Sequence, residues 1–290
     1  MRNFVEFEFI NHLLRKAGKL ADGVGDDAFV FEDYLISADM SVEGTHFRLD
    51  WNTPAQAVEK CLLSNFSDIN AMGGTSKAIL FSICVNKSWD KKTRDEIADA
   101  VATVCKKHKV RILGGDTVGG SLGAFSVTVF GKTKEKALLR SAAKAGDDVW
   151  LTGYPGRSAM ELYASVPSPP LKLGALLAKI KGIGACIDLS DSLAESLLHI
   201  SERSKAKLQI EEKLIPVFPG VTRDMLLNGG EDYCLLFTAR KSARKDILQL
   251  AKKFFINKIG EVVGATLRGC PHNNVFLDGK KLGIKGWRHF

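Results

Sequence analysis

Phe9, Ile10, Leu13, Leu14 and Ala17 recur at helical spacing, and Gly18 follows as a stop. Two short β-like stretches come next, at 28–31 and 34–40. Thr53 is placed to cap a helix with Pro54 in its first turn. Val58, Cys61, Leu62, Asn65, Phe66 and Ile69 run along one side of that helix, and Gly73 and Gly74 end it. A strand is expected at 78–85. A second amphipathic helix is expected at 91–108, with Ile97, Val101, Val104 and Cys105 on one side. Strands at 110–113 and 124–130 follow.

Between 131 and 146 the chain turns basic and small, which predicts a domain junction. The division adopted is 1–135 for an N-terminal domain and 136–290 for a C-terminal one. The pattern resumes with a strand at 149–152, a loop at 153–157 and a link containing Pro167, Pro169 and Pro170. A helix at about 171–181, a buried-type strand at 186–188 and a helix at 192–204 come next. Then follow a strand at 234–238, a helix at 242–255, a strand at 259–263, and a hairpin at 275–282 turning at Asp278 and Gly279. Adjacent strand pairs alternate with helices, so the fold class expected is α+β (mixed α/β) in two halves, not a doubly wound sheet.

Composition narrows the function. At 290 residues, 45% hydrophobic and 26% charged, the chain is long enough for a sizeable core without disulfides. Its net charge of +8 is spread over scattered lysines with no aromatic-interleaved basic stripe. This argues against a nucleic-acid partner and for a basic field that draws in anionic phosphates. The six cysteines form no CxxC pair and no zinc spacing. Glu6 and Glu8 break any signal-peptide pattern, and the longest apolar run, 78–85, is too short for a bilayer. A reduced, cytoplasmic protein with no membrane partner is expected.

Three familiar motifs fail on context. Gly23-Val-Gly25-Asp26-Asp27-Ala28 fits a dinucleotide fingerprint, yet a helix precedes it and a strand follows, the reverse of what the fingerprint needs. Gly119-Gly120-Ser121-Leu122-Gly123 fits a nucleophile elbow, but the next residues alternate like a strand where a helix is required. Gly153-Tyr-Pro-Gly156-Arg157-Ser158 has the wrong spacing for a P-loop.

The carboxylates fall in a more informative pattern. Asp26 and Asp27 sit in a glycine-led loop, Asp39 in a β-like stretch, and Asp68 late in the helix from Pro54. Asp116 follows Gly114-Gly115, Asp188 and Asp191 bracket Ser190, and Glu231-Asp232 follows Gly229-Gly230. Each alone reads equally as a helix cap or a turn. Converging together, they would need compensation. Hard cations ligated by oxygen supply it, and Mg²⁺ bridges carboxylates to substrate phosphates in this way.

These segments resemble a known family. Val24-Gly-Asp-Asp27-Ala28, Ser37-Ala-Asp39-Met-Ser-Val-Glu43-Gly-Thr-His46-Phe47, Asn65-Phe-Ser-Asp68 and Gly114-Gly-Asp116-Thr117 are similar to the ordered motifs of thiamine-monophosphate kinases. So are Leu139-Arg140-Ser141, Ile187-Asp188-Leu-Ser-Asp191, Gly229-Gly-Glu231-Asp232-Tyr233 and Gly286-Trp287-Arg-His-Phe290. The resemblance implies a two-domain fold like that of aminoimidazole-ribonucleotide synthetase, with a dimerising N-terminal domain and a C-terminal α/β domain. It implies a homodimer that binds ATP with several Mg²⁺ ions in the cleft between domains and transfers the γ-phosphoryl group to thiamine monophosphate.

Carried over motif by motif, Asp27, Ser37, Asp39, Asp68, Asp116, Asp188 and Asp191 would bind metal. Gly115, Asp116, Arg140 and Ser190 would hold ATP, and His46, Glu231 and Trp287 the thiamine phosphate. Asp27, Asp39, Asp68, Asp116 and Arg140 would carry catalysis. Three departures from the family pattern stand out: Ala38 in place of a hydroxyl residue, Ser192 in place of a glycine, and a shorter stretch between Gly156 and Cys186. A binding-only relative or a sister ATP-dependent enzyme is the alternative. Against the selenophosphate-synthetase version, the first cysteine, Cys61, falls inside a helix and not in the glycine loop.

Overall fold

The computed structural model describes residues 4–265 and 274–283. The first half runs α1 (Phe4–Ala17), a 3₁₀ turn, β1 (Phe29–Phe31), β2 (Tyr34–Val42), α2 (Pro54–Ala71), β3 (Thr75–Asn86), α3 (Lys91–His108), β4 (Arg111–Gly114), β5 (Thr117–Gly120) and β6 (Ala124–Lys132). Its sheet has the order β1-β2-β6-β3-β4, with β5 also on β3. The β2–β6 and β3–β6 pairs are antiparallel, and only β4 and β5 run parallel to β3. One face of β6 is buried through Phe125, Val127 and Val129, and α2 and α3 pack there. Phe125 stacks on Phe47 and Trp89 at ring-centroid distances of 5.5 and 5.9 Å.

The second half contains β7 (Asp148–Thr152), α4 (Arg157–Met160), α5 (Leu173–Leu177), β8 (Ile183–Asp188), α6 (Leu193–Ser204), β9 (Ala206–Ile210), α7 (Arg223–Asn228), β10 (Leu235–Ala239), α8 (Arg244–Ala251), β11 (Ile256–Ala265), β12 (Val275–Leu277) and β13 (Lys280–Lys281). The sheet order is β13-β12-β9-β11-β7-β10-β8, antiparallel except for β9 beside β12. Residues of α6 and α7 share a core with one face, through Leu151, Leu197 and Leu236. The other face packs Trp150 and Phe237 with α5, α8 and Ala71 of α2. Covered on both faces, β7 and β10 are buried at every position, which is why residues 149–151 and 235–237 are apolar at consecutive positions without alternating.

Most expected elements are present, and the mixed α/β class with two sheets is observed. The boundary drawn at 135/136 falls in the connector between β6 and β7. The differences have local causes. β5 is four residues of Thr-Val-Gly-Gly, a turn-like composition held extended by pairing with β3. The helix expected at 171–181 shrinks to α5, whose Gly174 N–H is taken by the Asn70 side chain at 2.8 Å. The helix expected at 242–255 is α8 preceded by a 3₁₀ turn, and β9 and α7 were not anticipated. The terminal hairpin turns as expected, with Asp278 and Gly279 both at positive φ. Among the described residues no helix is long and apolar enough to cross a membrane.

Helix α2 is buried along nearly its whole length, not on one side alone, because it lies between the two halves. Its start is fixed by a capping box: Thr53 Oγ1 accepts from Gln56 N–H, and Gln56 Oε1 accepts from Thr53 N–H. Thr53→Ala is expected to lower the unfolding free energy by about 1 kcal/mol, read from chemical denaturation midpoints.

Candidate active site

Three carboxylates meet where the halves touch. Asp27 comes from the loop before β1, Asp68 from the last turns of α2, and Asp188 from the end of β8. One oxygen from each lies within 4.8 Å of the others, and all three residues are buried. Arg140, from the connector, donates from Nη2 to Asp27 Oδ1 at 2.7 Å, and its backbone N–H donates to Asp26 Oδ1 at 2.7 Å. Ser37 Oγ donates to Asp68 Oδ2 at 2.6 Å. The remaining oxygen of Asp27 and both oxygens of Asp188 are buried without a hydrogen-bond partner.

That arrangement is electrostatically expensive. Burial, then the charges of Asp39, Asp188 and Asp27, push the Asp68 pKa well above the ordinary carboxylate range. Burial and Asp27 do the same to Asp188, with Arg140 opposing. Asp39 is raised by burial first, with Asp191 and Asp27 adding to it against a hydrogen bond from Ser64. Burial works against the charge on Arg140, but Asp27, Asp188 and Asp68 together hold it charged. Orphaned buried oxygens on converging carboxylates are the donor set of a hard divalent cation, so these residues fit Mg²⁺.

A cleft opens beside this cluster. Asp39, Ser64, Ser190 and Asp191 line one part of it, and His46, Lys60 and Glu231 another. The Gly230–Glu231 segment lies directly on the Ser190–Asp191 turn. Glu231 N–H donates to Ser190 O at 2.7 Å, and a Cβ on Gly230 would sit 1.9 Å from Asp191 O. Only glycine permits that approach. Asp232 turns away and accepts from Gly156 N–H at 2.6 Å and Ser158 N–H at 2.9 Å. Burial pushes its pKa up to about 6 despite those donors.

The fold therefore gathers Asp27, Ser37, Asp39, Asp68, Arg140, Asp188, Ser190 and Asp191 around one region, with His46 and Glu231 along the same cleft. His46 Nδ1 accepts from Val42 N–H at 3.2 Å. Gly115 and Asp116 stand elsewhere, on the exposed β4–β5 edge. Asp116 Oδ1 accepts from Thr117 N–H at 2.8 Å, and Gly115 is pressed against β3, where a Cβ would meet Phe81 O at 1.6 Å. Asp116 is not in the carboxylate cluster found among the described residues. Trp287 lies outside the described residues.

Ser192 serves as the N-cap of α6, its Oγ accepting from Glu195 N–H, with φ at −147°, so the position does not require glycine. Glu43 is a fold anchor, its Oε2 accepting from Asn86 Nδ2 and Gly123 N–H. Lys60 was missed in the sequence, and Asp26, noted there beside Asp27, was given no role. The clue to Lys60 is its place four residues before Ser64 and eight before Asp68, on the same face of the helix.

Known proteins resemble this chain along its whole length. The family model "AIR synthase related protein, N-terminal domain" matches residues 25–133. The thiamine-monophosphate kinase of Pyrococcus horikoshii is 35% identical over 324 aligned positions, spanning 100% of this chain and 94% of the relative. The chain belongs to the thiamine-monophosphate kinase family. A second member, from Buchnera aphidicola, is 32% identical over 330 positions, with 99% of each chain covered. Those 330 positions exceed the 290 residues here, so that kinase carries residues this family member lacks. The solved structure of AaThiL complexed with AMPPCP and TMP aligns with a TM-score of 0.81 at 26% identity, covering 100% of this chain and 98% of that one.

The cluster makes stability depend on pH and metal together. Asp39, Asp68 and Asp188 have raised folded-state pKa values, so the metal-free native state holds more protons than the unfolded chain. Their contribution is full below the ordinary carboxylate pKa and is lost as pH rises through the raised values. In chelator, Tm is expected to fall as pH rises above the ordinary carboxylate range on this account. Added Mg²⁺ should raise Tm more at the higher pH values, where protons no longer compete. Thermal melts at several pH values, with chelator or Mg²⁺, measure both trends.

Proposed function

We propose that the chain transfers the γ-phosphoryl group of ATP to thiamine monophosphate, giving thiamine diphosphate and ADP, with Mg²⁺ as the required metal. The observation that carries this reading is the buried Asp27–Asp68–Asp188 cluster beside Arg140, opening on the cleft. The family relatives and the AMPPCP- and TMP-bound neighbour give the substrates their identity.

In this reading Asp27, Ser37, Asp39, Asp68, Asp188 and Asp191 hold the metal ions. Bound there, Mg²⁺ offsets the repulsion between two phosphate groups and stabilises charge on the transferred one. The acceptor atom is a phosphate oxygen, already anionic near neutral pH, so no residue must act as general base. The chain's task is orientation and charge. Arg140, held by Asp27 and through its backbone by Asp26, presents a fixed positive charge to the nucleotide phosphates. Ser190, exposed at the turn after β8, and the backbone of Gly115 contact the nucleotide. Asp116, exposed at a strand edge, would add a carboxylate ligand to a metal carried by the nucleotide. His46 and Glu231 receive the thiamine end, with Trp287 assigned to the same substrate.

A homodimer is part of the proposal. Leu80, Ile112, Leu113, Val118 and Leu122 are exposed on and beside the β3–β4–β5 edge of the first sheet, an apolar band suited to self-association. We assign the reaction to the cytoplasm; the described cysteines form no disulfide.

Incubation with ATP, Mg²⁺ and thiamine monophosphate, followed by phosphorus NMR, tests the reaction. Thiamine diphosphate is expected only when both metal and the monophosphate are present. Folded, ATP-binding protein that yields none would point to a binding-only relative or a sister enzyme. Asp68→Asn is expected to lower kcat by on the order of a hundredfold or more, and near-normal turnover would remove Asp68 from the metal site.

A further inference from the structure

Lys60 lies inside a helix that is buried along nearly its full length, and its side chain is only 8% exposed. A lone ammonium there would be strongly disfavoured. It is held by two groups from the second half of the chain. Its Nζ lies 2.8 Å from Glu231 Oε2 and donates to the Tyr163 carbonyl at 2.7 Å. Glu231 is itself largely buried, at 17% exposure. Among the described residues lining the cleft, Lys60 is the one ammonium, facing a wall that also carries Asp39, Asp191 and Glu231.

Glu231 is aimed with unusual care. It and Tyr233 have positive φ, 59° and 49°, a region that non-glycine residues seldom occupy. The surrounding contacts over-determine that backbone: Glu231 N–H donates to Ser190 O, and Ser158 Oγ donates to Glu231 O at 2.8 Å. Asp232 anchors the next residue through Gly156 and Ser158. The backbone thus fixes the start of the Glu231 side chain, and Lys60 fixes its end from across the cleft.

Helix geometry gives the distance that matters. Lys60, Ser64 and Asp68 are spaced by four residues and share a face, so Lys60 lies about 12 Å along the helix from the carboxylate cluster. An acceptor whose phosphate sits at the Asp68 end would extend its organic, positively charged end toward Glu231. We infer that Lys60 is a positioning residue that sets acceptor affinity by holding the Glu231 carboxylate for that cationic ring end. It acts through Glu231 and not on the transferred phosphoryl group. The inference rests on the functional reading above.

The test compares wild type with Lys60→Met, Lys60→Arg, Glu231→Gln and the Lys60→Met/Glu231→Gln double variant. Thiamine monophosphate affinity is measured by calorimetry, and KM for each substrate by steady-state kinetics. Lys60→Met is expected to weaken acceptor binding about tenfold or more while the KM for ATP stays within about twofold of wild type. Lys60→Arg should retain most of the affinity. The double variant should regain thermal stability lost in Lys60→Met, because no carboxylate is left unpaired, yet not the affinity. A double variant with wild-type affinity, or equal weakening for both substrates, overturns the inference. If Lys60→Met does not fold, Lys60→Arg and the double variant carry the same comparison. Wild type that binds the monophosphate without turnover would overturn the kinase reading and leave the Lys60 comparison readable. Wild type that does not bind it overturns the inference as well.

Discussion

The costliest feature of this molecule is a group of carboxylates taken out of water at the junction of its two halves. Asp27, Asp68 and Asp188 belong to three separate elements, and no local sequence preference brings them together. Burying like charges so closely opposes folding unless positive charge accompanies them. Among the described residues one guanidinium, that of Arg140 on the connector between the two sheets, pairs with the cluster. One Arg against three carboxylates leaves a deficit, visible as raised proton affinities and unpartnered buried oxygens. A cation from outside, as proposed, would complete such a site, and the stability of the junction would then be tied to that ligand.

Helix α2 shows how far the rest of the structure is organised around that deficit. It packs against the first sheet and α3, while Ala71, near its end, joins the core beneath the second sheet. A helix so placed would gain most from being apolar throughout. It instead carries Lys60, Ser64, Asn65 and Asp68 in its buried stretch. Asn65 is tied locally, donating to Cys61 O and accepting from Asp39 N–H. Asp68 accepts from Ser37, and Lys60 is paired with Glu231. These contacts reach the carboxylate cluster or residues lining the cleft, so the departures from an apolar pattern mark the proposed site.

Much of this was legible in the sequence, for identifiable reasons. The helices with a clear start and stop, α2 behind Thr53-Pro54 and α3 at 91–108, were found because local signals and periodicity agree. The strands β7 and β10 were expected at 149–152 and 234–238, where each has three consecutive apolar residues. Elements held by tertiary pairing alone, such as β5 and β9, carry no comparable local signal. At the site, the glycine-flanked carboxylates could be singled out, but a single sequence does not say which of them turn inward. Asp27 and Asp116 both follow glycine loops, yet one is buried in the cluster and the other caps its own strand edge. Glu43 and Glu231 look alike as motif acids, although one anchors a loop to Asn86 and Gly123 and the other faces the cleft. The difference lies in partners dozens of residues away. Lys60 was passed over for the converse reason: its partner is not in the helix pattern at all.

The polar contacts that join the halves include one, Lys60 to Glu231, that lies in the wall of the cleft. Arg140 to Asp27, Lys60 to Glu231 and Tyr163, and Asn52 to Ala164 all cross between residues of the first half and residues beyond 135. Exposed pairs of this sort contribute little, but these are buried, and a buried group that loses its partner is costly. Any opening of the cleft wide enough to separate the halves would strip several such groups at once. The closed arrangement is therefore favoured before substrate arrives. Transfer between two phosphate groups benefits from that bias, because preset charges act without the cost of first being ordered. The same contacts that make the junction expensive to build make it ready to hold the polyanions it is proposed to join.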